Sequence, residues 1–171
     1  MTWTAGVDFG GTNIKVGLVS ADGRVRGALA LPTRRHATPA TFVEGVAEAL
    51  RRLVAGCASR RPHVRGVGVG APGLVDVARG VILELPNVPG PWRGVPLRRL
   101  LERRLRCPCA VDNDVNVVAL GEWRCGAGRG SRDSVYVTLG TGIGGGVIIG
   151  GQLIRGANSC AGEIGHMKIA L

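Results

Sequence analysis

At 171 residues and 45% hydrophobic composition, with a mean hydropathy of +0.20, the chain holds enough apolar material for one good core and reads as globular. No apolar run approaches the roughly 18 residues of a membrane-crossing helix. The formal charge of +10 raises a nucleic-acid partner, but the arginines fall in scattered pairs (Arg34-Arg35, Arg51-Arg52, Arg60-Arg61, Arg98-Arg99, Arg103-Arg104) with little aromatic interleaving, the pattern of solvated faces.

Five cysteines, odd in number and in dissimilar contexts, follow no signal-peptide pattern and fit a reduced cytoplasmic protein. Cys107-Pro108-Cys109 is either half of a metal site or a helix end leading into a strand; no second pair with ligand spacing favours the first.

In chain order, Thr4 to Phe9 reads as a buried strand, Gly10-Gly11-Thr12-Asn13 as a turn, and a second strand runs to Ser20. Asp22-Gly23 turns into a third strand from Arg24 to Leu31, completing an antiparallel meander. Thr38 or Pro39 opens a helix with Phe42, Val43, Val46, Leu50, Leu53 and Val54 at a period near 3.6, Glu48 and Arg52 forming an i,i+4 pair on its wet side. Val64 to Gly70 is a strand, Gly73 to Val77 and Val81 to Leu85 a hairpin, and Pro86 to Gly94 a proline-rich loop with Asn87 and Trp92.

A second amphipathic helix turns Leu97, Leu100, Leu101 and Leu105 inward, and Cys109 to Asp112 is a strand. Beyond Val115 a helix runs to about Cys125, followed by a strand from Ser134 to Leu139, a glycine turn from Gly140 to Gly146, and strands at Val147 to Ile149 and Gln152 to Arg155. The alternation is α/β with a mixed sheet. The expected organisation is an N-terminal domain over 1–112 and, over 113–171, the beginning of a larger C-terminal domain, incomplete because no helices follow to cover the second sheet.

Two glycine loops carry the chemistry. Asp8-Phe9-Gly10-Gly11-Thr12 forms a hairpin tip where backbone N–H groups can approach phosphate oxygens. Thr12 adds a hydroxyl donor, Asp8 can hold Mg²⁺ directly or through water, and Lys15 either adds charge or only flanks the strand. The second loop, Gly140-Thr141-Gly142-Ile143-Gly144-Gly145-Gly146, contains a formal G-x-G-x-x-G. A dinucleotide fingerprint needs a helix next, and a strand follows instead. The protein-kinase reading of the same glycines lacks its V-A-I-K and H-R-D companions, and there is no Walker A segment. What survives is a pair of phosphate-cradling hairpin tips, one in each half, serving a shared nucleotide.

Between them lies Val111-Asp112-Asn113-Asp114-Val115-Asn116, a strand that breaks into carboxylates and amides. Asp114 can take a proton from an alcohol, and Asn113 can hold that alcohol by donor and acceptor; equally, Asn and Asp are ordinary turn and helix-capping residues. Glu163 can likewise cap a turn, and His166 can be a core histidine.

Gly6-Val7-Asp8-Phe9-Gly10-Gly11-Thr12, Pro86-Asn87-Val88-Pro89-Gly90, Val111 to Asn116, Gly140 to Gly146 and Ala161-Gly162-Glu163-Ile164-Gly165-His166, in this order, resemble the ROK family of bacterial sugar kinases, its glucokinases most of all. The resemblance implies the actin-like ATPase fold (ribonuclease H-like, of hexokinase and Hsp70 type). It also implies ATP- and Mg²⁺-dependent phosphorylation of a hexose, glucose to glucose 6-phosphate, in a complete form that is a homodimer. It places phosphate contacts on Asp8, Gly10, Gly11, Thr12, Gly140, Thr141, Gly142 and Gly144, the general base on Asp114, and sugar contacts on Asn113, Glu163 and His166, more loosely on Asn87 and Gly73. Family members continue into a cysteine-rich loop that binds Zn²⁺ with the histidine; that loop is missing here, so a zinc role for His166 belongs only to a complete chain. The rivals are a sugar-binding transcriptional regulator of the same family, a kinase for fructose, mannose or an N-acetylhexosamine, and an actin-like ATPase without a sugar substrate.

Overall fold

A computed structural model describes residues 2–57, 63–86, 88–140 and 142–168, and the chain divides into two compact units, 1–112 and 113–171. The first unit opens with β1 (Thr2–Phe9), β2 (Asn13–Ser20) and β3 (Val25–Pro32), the antiparallel meander that the turn residues predict. β1 extends two residues further back than its apolar pattern indicates, because β4 (His63–Ala71) runs parallel to it and pairs from Thr2 with His63 onward. The period of two puts Ala5, Val7, Phe9, Ile14, Val16 and Leu18 on one buried face and leaves Thr4, Asp8 and Lys15 exposed on the other.

α1 (Pro39–Ala55) packs on the buried face. The Thr38 hydroxyl accepts from the Thr41 amide while the Thr41 hydroxyl accepts from the Thr38 amide, and Pro39, with no N–H to satisfy, takes the first helical position. Phe42, Val46 and Leu50 point into the core. Glu48 pairs with Arg51 rather than with the expected Arg52; positions three and four apart are both neighbours on a helix surface.

β5 (Leu74–Asp76) and β6 (Val81–Glu84) form a hairpin shorter than predicted, with Val75 and Ile82 buried. α2 (Leu97–Leu105) buries Leu97 and Leu101, and Arg104 reaches Glu44 of α1 through two hydrogen bonds of 2.8 and 3.0 Å. β7 (Cys109–Asn113) completes a five-stranded mixed sheet in the order β3-β2-β1-β4-β7. Cys107-Pro108-Cys109 is therefore the link from α2 into β7. Burial pushes the Cys109 thiol up to about 12, and among the described residues no group of three or more His, Cys, Asp or Glu could hold a metal.

In the second unit α3 (Asp114–Cys125) packs on β9 (Ile143–Ile149), which lies between β8 (Ser134–Leu139) and β10 (Gln152–Ile154) in an antiparallel sheet. The helix begins at Asp114, earlier than the expected position beyond Val115, so the polar cluster is itself the helix start. The expected glycine turn through Gly146 is also corrected: β9 begins at Ile143 and takes in Gly144 and Gly146. A Cβ at Gly144 would lie 2.5 Å from a Val115 methyl, and one at Gly146 2.5 Å from the Ala119 Cβ. With side chains there, α3 could not approach the sheet.

Candidate functional site

The first unit holds the β1–β2 hairpin. Asp8, near the end of β1, stands opposite Lys15, and their charged groups are 3.3 Å apart with both side chains more than half exposed. Lys15 thus spends its charge on Asp8 within the hairpin, which favours the strand-flanking reading of that residue over a separate phosphate contact. Gly10, Gly11 and Thr12 form the tip, Gly11 and Thr12 exposed. A single carboxylate beside a phosphate site is the donor set Mg²⁺ usually takes from protein, since it keeps several waters and borrows substrate oxygens; Asp8 fits that requirement.

Immediately beneath the tip, Phe9 is fully buried and meets Phe42 of α1 at 4.3 Å between ring centroids and Trp92 at 4.8 Å. The Trp92 indole N–H donates to the Pro89 carbonyl at 3.1 Å. The loop bearing Asn87 and the hairpin tip therefore rest on one aromatic cluster, so a displacement of either strains the other. Asn87 itself lies outside the described residues. Gly73 has φ +87, and a Cβ there would sit 2.5 Å from the Glu84 carbonyl oxygen, so this turn into β5 requires glycine for its backbone alone.

In the second unit, Asn113 caps α3. Its Oδ1 accepts from the Val115 amide at 2.9 Å and the Asn116 amide at 3.1 Å, so that acceptor serves the start of the helix, the capping alternative its residue type offers. Asp114 is the first helical residue, and its Oδ1 shares the Val115 N–H at 2.9 Å. The helix N-terminus favours a carboxylate charge at that place.

Gly140 and Gly142 belong to the β8–β9 tip, where the Gly140 amide donates to the Gly142 carbonyl at 2.9 Å; Thr141 lies outside the described residues. Gly144 sits inside β9, where its missing side chain serves the packing of α3.

Glu163 precedes a 3₁₀ turn, Ile164–His166, that packs on β9, where a Cβ at Gly165 would lie 2.2 Å from the Ile143 carbonyl oxygen. Glu163 makes no side-chain cap there, and the His166 side chain is 86% exposed, 3.9 Å from the Glu163 carboxylate. Glu163 therefore does not cap the turn with its side chain, and His166 is not a core histidine. With His166 as the only imidazole nearby, the described residues do not fit a four-ligand structural zinc site. α3 and the Glu163–His166 segment both pack on β9 but on its opposite faces: Val115 touches Gly144, and Gly162 and Ile164 close on Gly145.

The sequence reading missed Thr33. It lies in the first unit, between a proline and the Arg34-Arg35 pair in no recognisable motif, and carries a buried hydroxyl bonded to the hairpin tip.

A glucokinase of Halalkalibacterium halodurans is 38% identical over 98% of this chain and 50% of its own length. The crystal structure of a ROK family glucokinase from Streptomyces griseus in complex with glucose and AMPPNP superposes with a TM-score of 0.85 at 40% identity, over 98% of this chain and 51% of that one. A ROK hexokinase from Thermus thermophilus gives 0.84 at 37% identity, covering 99% and 54%. The chain spans about half the length of the relatives it matches. Residues 4–170 match the ROK family, and with the mixed sheet, the two glycine hairpins and the neighbours just described, the chain belongs to that family and has the actin-like ATPase fold.

Proposed function

We propose that the protein phosphorylates glucose on its 6-hydroxyl with ATP and Mg²⁺, as a cytoplasmic glucokinase feeding glycolysis and working as a homodimer. The observation that carries the reading is Asp114 at the start of α3, directly after the Asn113 cap and in a chain 38% identical to a glucokinase. Its carboxylate is placed by the first turn of the helix, where a general base can meet an alcohol proton.

In the proposed reaction Asp114 accepts the proton of the 6-hydroxyl as that oxygen forms a bond to the γ-phosphorus. The bond from phosphorus to the β,γ-bridging oxygen breaks, and ADP leaves. Backbone N–H groups at Gly10, Gly11 and Gly142, with the hydroxyls of Thr12 and Thr141, bind the phosphates, Gly140 shapes the second tip by donating its own N–H to the Gly142 carbonyl, and Gly144 holds its place by letting the helix close on the hairpin. The Asn113 amino group, Glu163, His166 and Asn87 orient the sugar, with Gly73 shaping the backbone beside it; a misplaced hydroxyl forfeits the gain from proximity. Asp8 would hold Mg²⁺, which when bound offsets negative charge on the transferring phosphoryl group.

The test is Asp114→Asn in the complete protein. Sugar binding should persist while turnover falls by about three orders of magnitude or more. Turnover within tenfold of the unmutated protein rejects the assignment. The same assay run with fructose, mannose and N-acetylhexosamines, and with polyphosphate in place of ATP, reads the substrate preference directly.

A further inference from the structure

We infer that Thr33 is a positioning residue for nucleotide phosphate, acting through the backbone of the β1–β2 tip; the inference rests on the kinase reading above. Thr33 opens a 3₁₀ turn, Thr33–His36, at the end of β3. Pro32 pairs with Asn13, so the first residue beyond the strand falls directly against the tip. Its hydroxyl donates to the Gly10 carbonyl at 2.7 Å and its amide donates to the Thr12 carbonyl at 3.0 Å. One side chain and its own backbone therefore grip both ends of a three-residue loop.

Thr33 is 1% exposed, whereas Gly11 and Thr12 are exposed. A buried hydroxyl held by one good acceptor is costly to lose, because the carbonyl it serves is left without that partner. The direction of the grip matters more than its strength. In a trans peptide C=O and N–H point opposite ways, so a Gly10 carbonyl drawn inward to Thr33 turns the Gly11 N–H outward, the orientation an anion requires. The loop has little room to relax in another way, since a Cβ at Gly10 would already lie 2.6 Å from the Asn13 carbonyl oxygen. Asp8 and Thr12 give charge and a donor, and Thr33 sets which way the glycine backbone faces.

The test compares Thr33→Val, which keeps the shape and the backbone donor but removes the hydroxyl, with Thr33→Ser, which keeps the hydroxyl, in the complete protein. Thr33→Val should raise KM for ATP on the order of tenfold, the factor expected for one buried hydrogen bond, with KM for glucose unchanged; Thr33→Ser should restore most of it. An ATP KM within twofold of the unmutated protein, an equal rise in both KM values, or a Ser variant as impaired as Val overturns the inference. If Thr33→Val fails to fold, Thr33→Ala is read by the same criteria. Hydrogen exchange gives a readout that needs no activity: amides of residues 10–13 should exchange faster in the Val variant while the rest of β1 and β2 stays protected, and unchanged exchange overturns the proposal. An unmutated protein with no sugar-dependent use of ATP would reject the kinase reading alone, leaving the exchange comparison to decide the grip.

Discussion

In residues 1–112 the apolar side of the sheet lies under α1 and α2, and Phe9, Ile14, Val16, Phe42, Val46, Leu97 and Leu101 are sealed from water. In residues 113–171 the large apolar side chains of β8 point the other way. Val135, Val137 and Leu139 are 63, 54 and 79% exposed, with Ile143 and Ile149 of β9 also exposed, while Ser134, Tyr136 and Thr138 alternate with them on the other face. Among the described residues, the first unit closes one sheet face with two α-helices, whereas the second sends α3 onto glycines. Helix α3 gains a close approach from the opposite face, and that approach fixes where Asp114 stands.

Four experiments break or sharpen this contrast. Phe9→Ala removes the ring at the centre of the aromatic cluster and should cost about 3–5 kcal/mol, read by urea denaturation, with the β1–β2 tip loosening by hydrogen exchange. A loss under 1 kcal/mol would show that the first unit is not closed around that ring. Gly146→Ala drives a methyl into Ala119 and should cost about 1–3 kcal/mol, with a local rise in amide exchange along α3 and its capping residues. If it leaves α3 unaffected, close packing is not why β9 is glycine-rich.

The third uses pH. The Cys109 thiol, pushed up to about 12 by burial, would titrate near 9.0 when unfolded, so between those values only the unfolded chain has released the proton. Stability is therefore full below about 9 and falls as pH rises through that window. Cys109→Ala should flatten this part of the alkaline denaturation curve, and in the unmutated protein a thiol reagent at neutral pH should label the exposed Cys125 and Cys160 long before Cys109. The smallest effect is a matched pair: Val137→Thr on the open face should change stability by no more than about 0.5 kcal/mol, whereas Val69→Thr, at 1% exposure, should cost about 1–3 kcal/mol. Equal costs would mean that the β8 face is not open in solution.

The amphipathic period of α1, the Thr38 and Pro39 start signals, the β1–β2 meander and the ordered family motifs are local, and the sequence by itself determined them: periodicity and turn chemistry act over a few residues. Asn113 was legible as a polar residue at a strand end, but its competing roles were not separable until the helix start fixed Oδ1 on two amides. The extent of β9 and the grip of Thr33 on Gly10 were decided only by tertiary structure. Each depends on a neighbour distant in the chain, 23 residues away for Thr33, and a glycine or threonine carries no mark in its own sequence context of the backbone or helix that will close on it.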